Sequence, residues 1–244
     1  MSNQDWNVTF RVFRKKENEE PYFENFQMEV KPGEYVLEII ERIWAFKDRS
    51  LTFAHACHHS TCGACGMRVN GKEKLTCITL IKDVVKDGGI VKVEPMRNFP
   101  IIGDLAVDMG KLYLGMDSVG HNPVVSVVEE PYHEGIAPKK GSENDYIRLS
   151  DCIECGLCIS ACPVATTNSM YLGPAVLAGA LQASLHPENG VETLVDCADG
   201  VWRCHSAFEC TEVCPSYVEP GKKIMQLRRK VVGSRIKSLF SSNN

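Results

Sequence analysis

The cysteines of this chain constrain its fold more than any other feature, because its twelve cysteines are clustered rather than spread along the 244 residues. Four lie in residues 57–77 and eight in residues 152–214, with a cysteine-free stretch between them. Clusters this tight disfavour disulfides between distant segments. The first ten residues also lack a basic region followed by an apolar stretch, so no signal peptide is expected. The pattern therefore favours metal or redox chemistry over a disulfide scaffold, with one domain for each cysteine group.

Composition and hydropathy give no indication of a nucleic-acid partner or of a transmembrane segment. The chain is 44% hydrophobic and 24% charged with a net charge of -4, which is ordinary for a globular protein and gives no reason to expect nucleic acid. The most apolar stretch, residues 172–185, is shorter than the ~18 residues that a spanning helix needs. It predicts a buried helix and no transmembrane segment, so any attachment to a membrane must come from another protein.

The first half predicts a small mixed sheet with one helix. Val8, Phe10 and Val12 alternate with polar residues as in a half-buried strand. Asn70-Gly71 is a strong hairpin signal. The further predicted elements are a strand over residues 26–30, a helix over 35–46, the hairpin over 67–75 and a last strand over 90–93.

The second half predicts helices. Residues 102–116 have mostly helical spacing, residues 122–142 are rich in Pro and Gly and predict an irregular loop, and the cysteine motifs beyond residue 145 lie in helix-like sequence. The tail over residues 220–240 is basic and amphipathic. It is expected either to lie near anionic lipid headgroups or to present a solvated face. Its apolar face is expected to contain Ile224, Leu227, Val231 and Ile236.

The first cysteine group has the spacing of the plant-type loop that binds [2Fe-2S]: Cys57-x4-Cys62-x2-Cys65, then Cys77 after eleven residues. Small residues in the loop, Gly63, Ala64 and Gly66, are expected to let backbone N–H groups approach the sulfurs.

Two other interpretations of this loop are weaker. Zinc sites use paired knuckles, which a four-residue gap fits poorly. His58 and His59 invite a comparison with clusters ligated by two histidines, but four cysteines already complete the ligand set. Both histidines are therefore expected to be exposed loop residues.

The second group contains the run of two-cluster ferredoxins, in which the fourth cysteine ligates the other cluster. A complementary run follows it, and the position matching Cys155 is Ala207. The spacing thus predicts one [4Fe-4S] and one [3Fe-4S] cluster, and it leaves Cys197 over as a small, partly buried thiol. The predicted ligands are Cys152, Cys155, Cys158 and Cys214 for [4Fe-4S], and Cys162, Cys204 and Cys210 for [3Fe-4S].

These three motifs, in this order, resemble the iron–sulfur subunit of the succinate dehydrogenase and fumarate reductase family. The resemblance also rests on residues 95–109 (PMRNFPIIGDLAVDM) and 199–215 (DGVWRCHSAFECTEVCP). It implies an α+β chain: an N-terminal β-grasp, [2Fe-2S] ferredoxin-like domain over residues 1–105, then an all-α helical ferredoxin domain over residues 106–244.

The resemblance further implies a place in complex II of the respiratory chain and in the tricarboxylic acid cycle. The implied partners are a flavoprotein subunit with FAD, where succinate and fumarate react, and membrane-anchor subunits that hold quinone and in some relatives haem. Single electrons would pass between FAD and quinone through the three clusters. The implied location is peripheral, on the cytoplasmic face of the membrane, or the matrix face in a mitochondrion.

In such relatives, residues near His205 and after Cys162-Pro163 help to form the quinone site. Here residues 163–169 (PVATTNS) carry no aromatic residue before Tyr171, which departs from ubiquinone-using relatives and favours menaquinone. Two alternatives remain at this point: an iron–sulfur subunit of another flavin-linked reductase, and a zinc-binding interaction protein.

Overall fold

The computed structural model describes residues 5–16, 19–120, 152–184 and 190–241. The chain divides into two compact units. The first unit contains Met1–Gly110 and Glu154–Ala161, and the second contains Lys111–Ile153 and Cys162–Asn244. Each is described by itself. The predicted loop over residues 122–142 lies outside the described residues.

A five-stranded mixed sheet dominates the first unit. Its strands are β1 (Trp6–Arg14), β2 (Tyr22–Val30), β3 (Gly66–Val69), β4 (Lys72–Leu75) and β5 (Ile90–Glu94). The strand order is β2-β1-β5-β3-β4, in which β1 pairs with β5 in parallel and the other neighbours are antiparallel. All five confirm predicted strands, because each was marked by alternation or by a turn signal.

Alternation explains why the two long strands form. Val8, Phe10 and Val12 are fully buried, and on β2 Phe26 lies opposite Phe10. Side chains two residues apart point to the same face of a strand, so this spacing places one apolar row against the core. The helix α1 (Val36–Phe46) covers that core with five buried side chains: Val36, Leu37, Ile39, Ile40 and Ile43.

The predicted hairpin is also confirmed. Asn70 and Gly71 both have left-handed backbone angles, φ 50° and φ 81°, as a two-residue hairpin turn of this type requires. The Asn70 side chain ties the turn to its surroundings, since its amide donates to the Val84 carbonyl at 2.8 Å and its oxygen accepts from the Lys92 N–H group at 2.8 Å.

The helix predicted over residues 102–116 is wrong in its first half. The chain forms a short hairpin, β6 (Ile101–Gly103) and β7 (Ala106–Val107), before α2 (Gly110–Ser118) begins. Asp104 lies in the turn between them with φ 41°. Its buried carboxylate accepts hydrogen bonds from Arg14 Nε at 3.2 Å and from the Lys15 and Thr52 N–H groups at 2.9 and 2.8 Å. These distant contacts override the local helical spacing.

Arg14 is itself fully buried at the end of β1. Its guanidinium also pairs with Glu24 and with Asp48, whose oxygen lies 2.6 Å away. The hydrogen bond from Arg14, followed by one from the Ser50 backbone, lowers the pKa of Asp48 to about 2. Three carboxylates therefore compensate one buried cation, which joins β1 to the segments around residues 48 and 104.

Helices dominate the described part of the second unit. α5 (Pro174–Ala183) is almost wholly buried, which confirms the predicted core helix. None of the described helices is long and apolar enough to cross a membrane. Besides α2, the helices here are α4 (Pro163–Thr167), α5, α6 (Val191–Val195), α7 (Glu209–Glu212) and α8 (Pro220–Ser241), whereas α3 (Leu157–Ala161) belongs to the first unit.

The prediction for α8 is only partly right. Ile224, Leu227 and Val231 are buried as expected, but Ile236 is 49% exposed. Ile236 lies five positions after Val231, so in a helix of 3.6 residues per turn its side chain points about 140° away from that of Val231. The last turns of α8 also expose Leu239 and Phe240, so the buried stripe ends near Val231.

Candidate iron–sulfur sites

The first cysteine group forms a loop between α1 and β3, and its fourth member follows β4. Cys62 is exposed and Cys57 half-buried, whereas Cys65 and Cys77 are each only 3% exposed. Cys77 lies in a short 3₁₀ turn, Thr76–Ile78, and contacts the Cys65 thiol. The structure therefore brings sulfurs from the loop and from the neighbouring strand end together, as the sequence predicts for [2Fe-2S].

Backbone N–H groups point at the sulfur of Cys57. Those of His59, Thr61 and Cys62 donate to it at 3.5, 3.3 and 3.3 Å. The pKa of the Cys57 thiol falls to about 6, first because the His59 N–H group stabilises the thiolate and then because the Cys62 side chain also hydrogen-bonds to it. This loop thus stabilises negative charge on sulfur, which is what a cluster ligand requires.

The sulfur of Cys77, in contrast, lies in a buried environment that disfavours the thiolate. Burial, and then a hydrogen bond with Cys65, raise the pKa of Cys77 to about 11. A bound metal deprotonates such a thiol, so a metal is the natural partner of a buried cysteine pair. The site therefore combines an exposed, charge-stabilising half with a buried half.

Gly63 and Gly66 shape the loop through packing and backbone geometry. The N–H group of Gly66 donates to the Gly63 carbonyl at 3.2 Å rather than to a sulfur. A Cβ atom on Gly66 would lie 3.2 Å from side-chain atoms of Leu157 and Met96. Gly66 therefore serves close packing against α3, while Gly63, with φ 72°, turns the loop.

Three cysteines line a small cavity in the second unit. Cys162 and Cys210 are buried and Cys204 is half-buried. The cysteine motifs were expected within helices, but only Cys210 lies in one here. Cys162 immediately precedes α4 and Cys204 follows a 3₁₀ turn. The cavity brings together the three predicted [3Fe-4S] ligands, and Ala207 is also on its wall.

Burial controls the thiols of this cavity. Burial first, and then negative charge on Cys162 and on Cys204, raise the pKa of Cys210 to about 12. The pKa of Cys162 is raised as well, first by burial. The three sulfurs lie close enough to repel one another as thiolates, so an iron cluster fits the site as the compensating positive charge.

A buried hydroxyl supports this fit. Tyr171 is 3% exposed, and its hydroxyl has no hydrogen-bond partner of normal geometry among the described residues. Burial raises the pKa of Tyr171 first, and negative charge on Cys204 and Cys162 raises it further, which places the hydroxyl within reach of these sulfurs. A buried hydroxyl without a partner is costly, and cluster sulfur would accept its hydrogen bond.

The remaining predicted ligands are divided between the two units. In the first unit, Cys158 lies in α3, and Cys155 is followed by Gly156 with φ 76°. In the second, the Cys214 sulfur accepts a hydrogen bond from the Val218 N–H group at 3.4 Å. The [4Fe-4S] ligand set, including Cys152, stays a prediction from the spacing of the runs.

The segment around α3 is held to the first unit by polar contacts that sequence analysis missed. The Ser160 hydroxyl hydrogen-bonds Glu73 Oε1 on β4 at 2.9 Å and accepts from the Arg97 N–H group at 2.9 Å. Asn98 donates to the Ile159 carbonyl at 2.7 Å. The expected boundary after residue 105 did not assign residues 154–161 to the first unit, because no local pattern reports contacts across more than 60 residues.

Five further residues complete the comparison with the predictions. His205 and Pro163 are exposed and line the three-cysteine cavity. Cys197 is exposed rather than partly buried, because it lies on the surface turn after α6. His58 and His59 are both exposed as expected, but His58 contacts Glu41 and His55, a cluster that the sequence did not predict.

Comparisons with known proteins agree with this arrangement. Residues 9–113 match the family model of a 2Fe-2S iron-sulfur cluster binding domain, and residues 148–218 match a 4Fe-4S dicluster domain. The chain is 34% identical to the fumarate reductase iron-sulfur subunit of Mycobacterium tuberculosis, over 93% of each chain, and 31% identical to that of Haemophilus influenzae, over 90% of each.

The fold also matches a solved structure. A chain of the Mycobacterium smegmatis Sdh1 complex in the apo form aligns with a TM-score of 0.79 and 23% identity, over 96% of this chain and 98% of that one. The identity of the curated relatives and their coverage show that this chain belongs to the family of fumarate reductase and succinate dehydrogenase iron–sulfur subunits. The predicted α+β class, with an N-terminal 2Fe-2S ferredoxin domain and a C-terminal dicluster domain, is confirmed.

Proposed function

We propose that this chain is the electron-transfer subunit of a membrane-bound succinate:quinone oxidoreductase, working as succinate dehydrogenase or as quinol:fumarate reductase. Single electrons pass between the FAD of a flavoprotein subunit and a quinone. The dicarboxylate chemistry belongs to the flavoprotein. The observation that carries the proposal is the three-cysteine cavity, because a cluster with three thiolate ligands beside two further cluster motifs matches the metal content of such a chain.

The clusters act as one-electron carriers, and their reduction potentials depend on ligand type, hydrogen bonds and burial. The ligand sets are those of the sequence runs: Cys57, Cys62, Cys65 and Cys77 for [2Fe-2S], Cys152, Cys155, Cys158 and Cys214 for [4Fe-4S], and Cys162, Cys204 and Cys210 for [3Fe-4S].

The chain's own groups differ between the first and third of these sites. At the first site, N–H donors from His59, Thr61 and Cys62 face one sulfur, and Cys62 is exposed. At the third, the sulfurs are mostly buried and the Tyr171 hydroxyl faces them. Hydrogen bonds to sulfur and solvent exposure are the protein's means of setting cluster potentials, so the two sites are tuned by different groups.

The third site is also where we place the quinone end. His205 and Pro163 lie on the exposed rim of its cavity, so a ring bound there can reach a histidine N–H donor within a short distance of the cluster. Residues 163–169 offer no aromatic side chain to this rim, and Tyr171 is buried in the cavity wall. We therefore favour menaquinone over ubiquinone as the quinone.

The proposed assembly contains the flavoprotein subunit and one or more membrane-anchor subunits, with haem in the anchor as a further component. The chain then lies peripherally on the cytoplasmic face of the membrane, or the matrix face in a mitochondrion. The named relatives are subunits of the corresponding enzymes, which supports these partners. Helix α8 carries seven Lys or Arg and no acid between residues 222 and 237. Four of these cations, Lys222, Arg229, Arg235 and Lys237, are exposed, which suits a surface near anionic headgroups.

Ala207→Cys tests the ligand count of the third site. The iron-loaded chain should show the electron paramagnetic resonance signal of an oxidised three-iron cluster. Because the new thiol lies on the cavity wall at the position matching Cys155, the variant should build [4Fe-4S] there, lose that signal and gain about one iron per chain.

Thr193→Cys is the control, since it adds an exposed thiol on α6, outside the residues that line the cavity, and should keep the signal. An unmodified chain without the three-iron signal, or an Ala207→Cys variant that retains it, would show that the ligand assignment is wrong. Stoichiometric zinc without iron or acid-labile sulfide in the purified chain would overturn the proposed function altogether.

A further inference from the structure

Three side chains outside the cysteine sites converge on one point beside the first cysteine loop. Glu41 lies on α1, His55 lies in the segment that leads into the loop, and His58 is the first loop residue after Cys57. Nδ1 of His55 lies 3.1 Å from Glu41 Oε1, Nε2 of His58 lies 3.2 Å from the same oxygen, and the two nitrogens are 3.2 Å apart. These three atoms thus form a nearly equilateral triangle.

Protons alone satisfy this triangle poorly. If both imidazoles donate to the same oxygen of Glu41, the 3.2 Å contact between the two ring nitrogens carries no hydrogen bond. If one imidazole donates to the other, the accepting nitrogen directs a lone pair toward its neighbours and has no proton for Glu41. Protons therefore serve at most two of the three contacts, whereas a cation in front of the triangle attracts all three lone pairs.

The dimensions of the triangle match a divalent transition metal. Zn²⁺ binds imidazole nitrogen and carboxylate oxygen at about 2.1 Å. An ion at that distance from each of the three atoms would see them at mutual angles of about 100°, close to the tetrahedral value that zinc prefers. Two imidazoles and one carboxylate also form a common zinc ligand set, in which water completes the coordination.

The surroundings hold the ligands in place. The His55 ring stacks on Phe53 at 5.1 Å between centroids, and Phe53 in turn packs edge-on against Trp44 of α1. His58 has a left-handed backbone, φ 63°, which a residue with a side chain adopts only at a cost. Among the described residues, the recorded ion-pair contacts of Glu41 are those with the two histidines.

The site is open to ions from solution. The side chains of Glu41, His55 and His58 are 26%, 39% and 45% exposed to solvent. We propose that Glu41, His55 and His58 form a binding site for a divalent transition-metal ion, with Zn²⁺ as its probe, distinct from the iron–sulfur sites. The open face holds water as the remaining ligand and admits exchange with the medium.

Equilibrium dialysis of Zn²⁺ against the iron-loaded full chain tests the site. One Zn²⁺ should bind per chain while iron and sulfide contents stay constant. Glu41→Gln, His55→Ala and His58→Ala should each weaken this binding by more than about tenfold, since even groups that only orient metal ligands contribute 10–100-fold. His59→Ala is the matched control, because His59 is an exposed histidine of the same loop outside the triangle.

X-ray absorption at the zinc edge separates this site from adventitious binding to thiols. The expected first shell contains only nitrogen and oxygen at about 2.0–2.2 Å, whereas a cysteine site would show sulfur at about 2.3 Å. A sulfur shell would overturn the proposal. So would zinc binding that His59→Ala weakens as much as the other substitutions do, or binding that all three ligand variants retain. The three partly exposed positions are tested independently, so loss of clusters in one variant leaves two others to decide.

Discussion

The folds of the two units are stabilised by different kinds of contact. In the first, β1 and β2 pair over nine residues each, and their buried side chains belong to an apolar cluster that includes α1. In the second, α4, α6 and α7 have only five, five and four residues. Isolated helices shorter than about 12 residues are marginal in water. The first unit can therefore keep its fold from its own apolar contacts, whereas the short helices around the three-cysteine cavity depend on tertiary contacts and on whatever the cysteines bind.

Removing the metal is the strongest way to break this comparison. Chelation of iron from the full chain should raise amide exchange rates in residues 162–167 and 204–214 by about 100-fold or more, because metal binding there is coupled to folding. The amides of β1, β2 and β5 should change little and serve as an internal control. Hydrogen exchange read by mass spectrometry measures both regions in one sample. Equal deprotection of the sheet would contradict the difference between the units.

Arg14→Met tests how much the buried ion pairs, in addition to the apolar core, stabilise the first unit. The substitution leaves Asp48, Glu24 and Asp104 without their buried cation. Loss of one partner from a buried ionic network costs about 3–5 kcal/mol, and the free energy of unfolding of the first unit should fall by that amount. Denaturant unfolding followed by exchange of the β1 amides measures it.

Arg11→Met is its control on the same strand, because the Arg11 side chain is exposed and contacts only the face of Phe23 among the described contacts. It should cost about 0.5–1 kcal/mol, the value of an exposed cation–π contact. Similar losses in the two variants would mean that the buried network contributes no more than a surface contact.

A pair of isoleucines on α8 tests where the core of the second unit ends. Ile224 is fully buried, whereas Ile236 is 49% exposed. Ile224→Ala should destabilise the second unit by about 2–5 kcal/mol, and Ile236→Ala by less than about 0.5 kcal/mol. Thermal unfolding of the iron-loaded chain compares them. A large effect at Ile236 in the chain alone would show that the end of α8 is packed against the unit.

Particular residues show what sequence analysis captured and what it missed. Val8, Phe10 and Val12 and the Asn70-Gly71 turn act through neighbours in the chain, so their spacing predicted strands and a hairpin that the structure confirms. The spacing of the cysteine runs predicted ligand sets, and these stay predictions. The helix predicted from residue 102 begins only at Gly110, because Arg14, 90 residues from Asp104 in the chain, holds the Asp104 carboxylate in a turn before it. Glu41 meets His55 and His58 only after α1 and the loop have folded, and no spacing rule links them. Long-range polar contacts account for both differences.

Apart from the control variants, Tyr171→Phe should have the smallest effect, and it sharpens the comparison between the exposed first site and the buried third one. The hydroxyl faces the sulfurs of Cys204 and Cys162, and a hydrogen bond to a cluster sulfur stabilises the reduced, more negative state. Its loss should lower the midpoint potential of the third site by about 40 mV, equivalent to one hydrogen bond of about 1 kcal/mol for one electron. Redox titration followed by electron paramagnetic resonance measures this shift, and the [2Fe-2S] potential in the same sample is the control. An unchanged third potential would mean that the hydroxyl serves packing alone, and equal shifts at both sites would point to a general change in the chain.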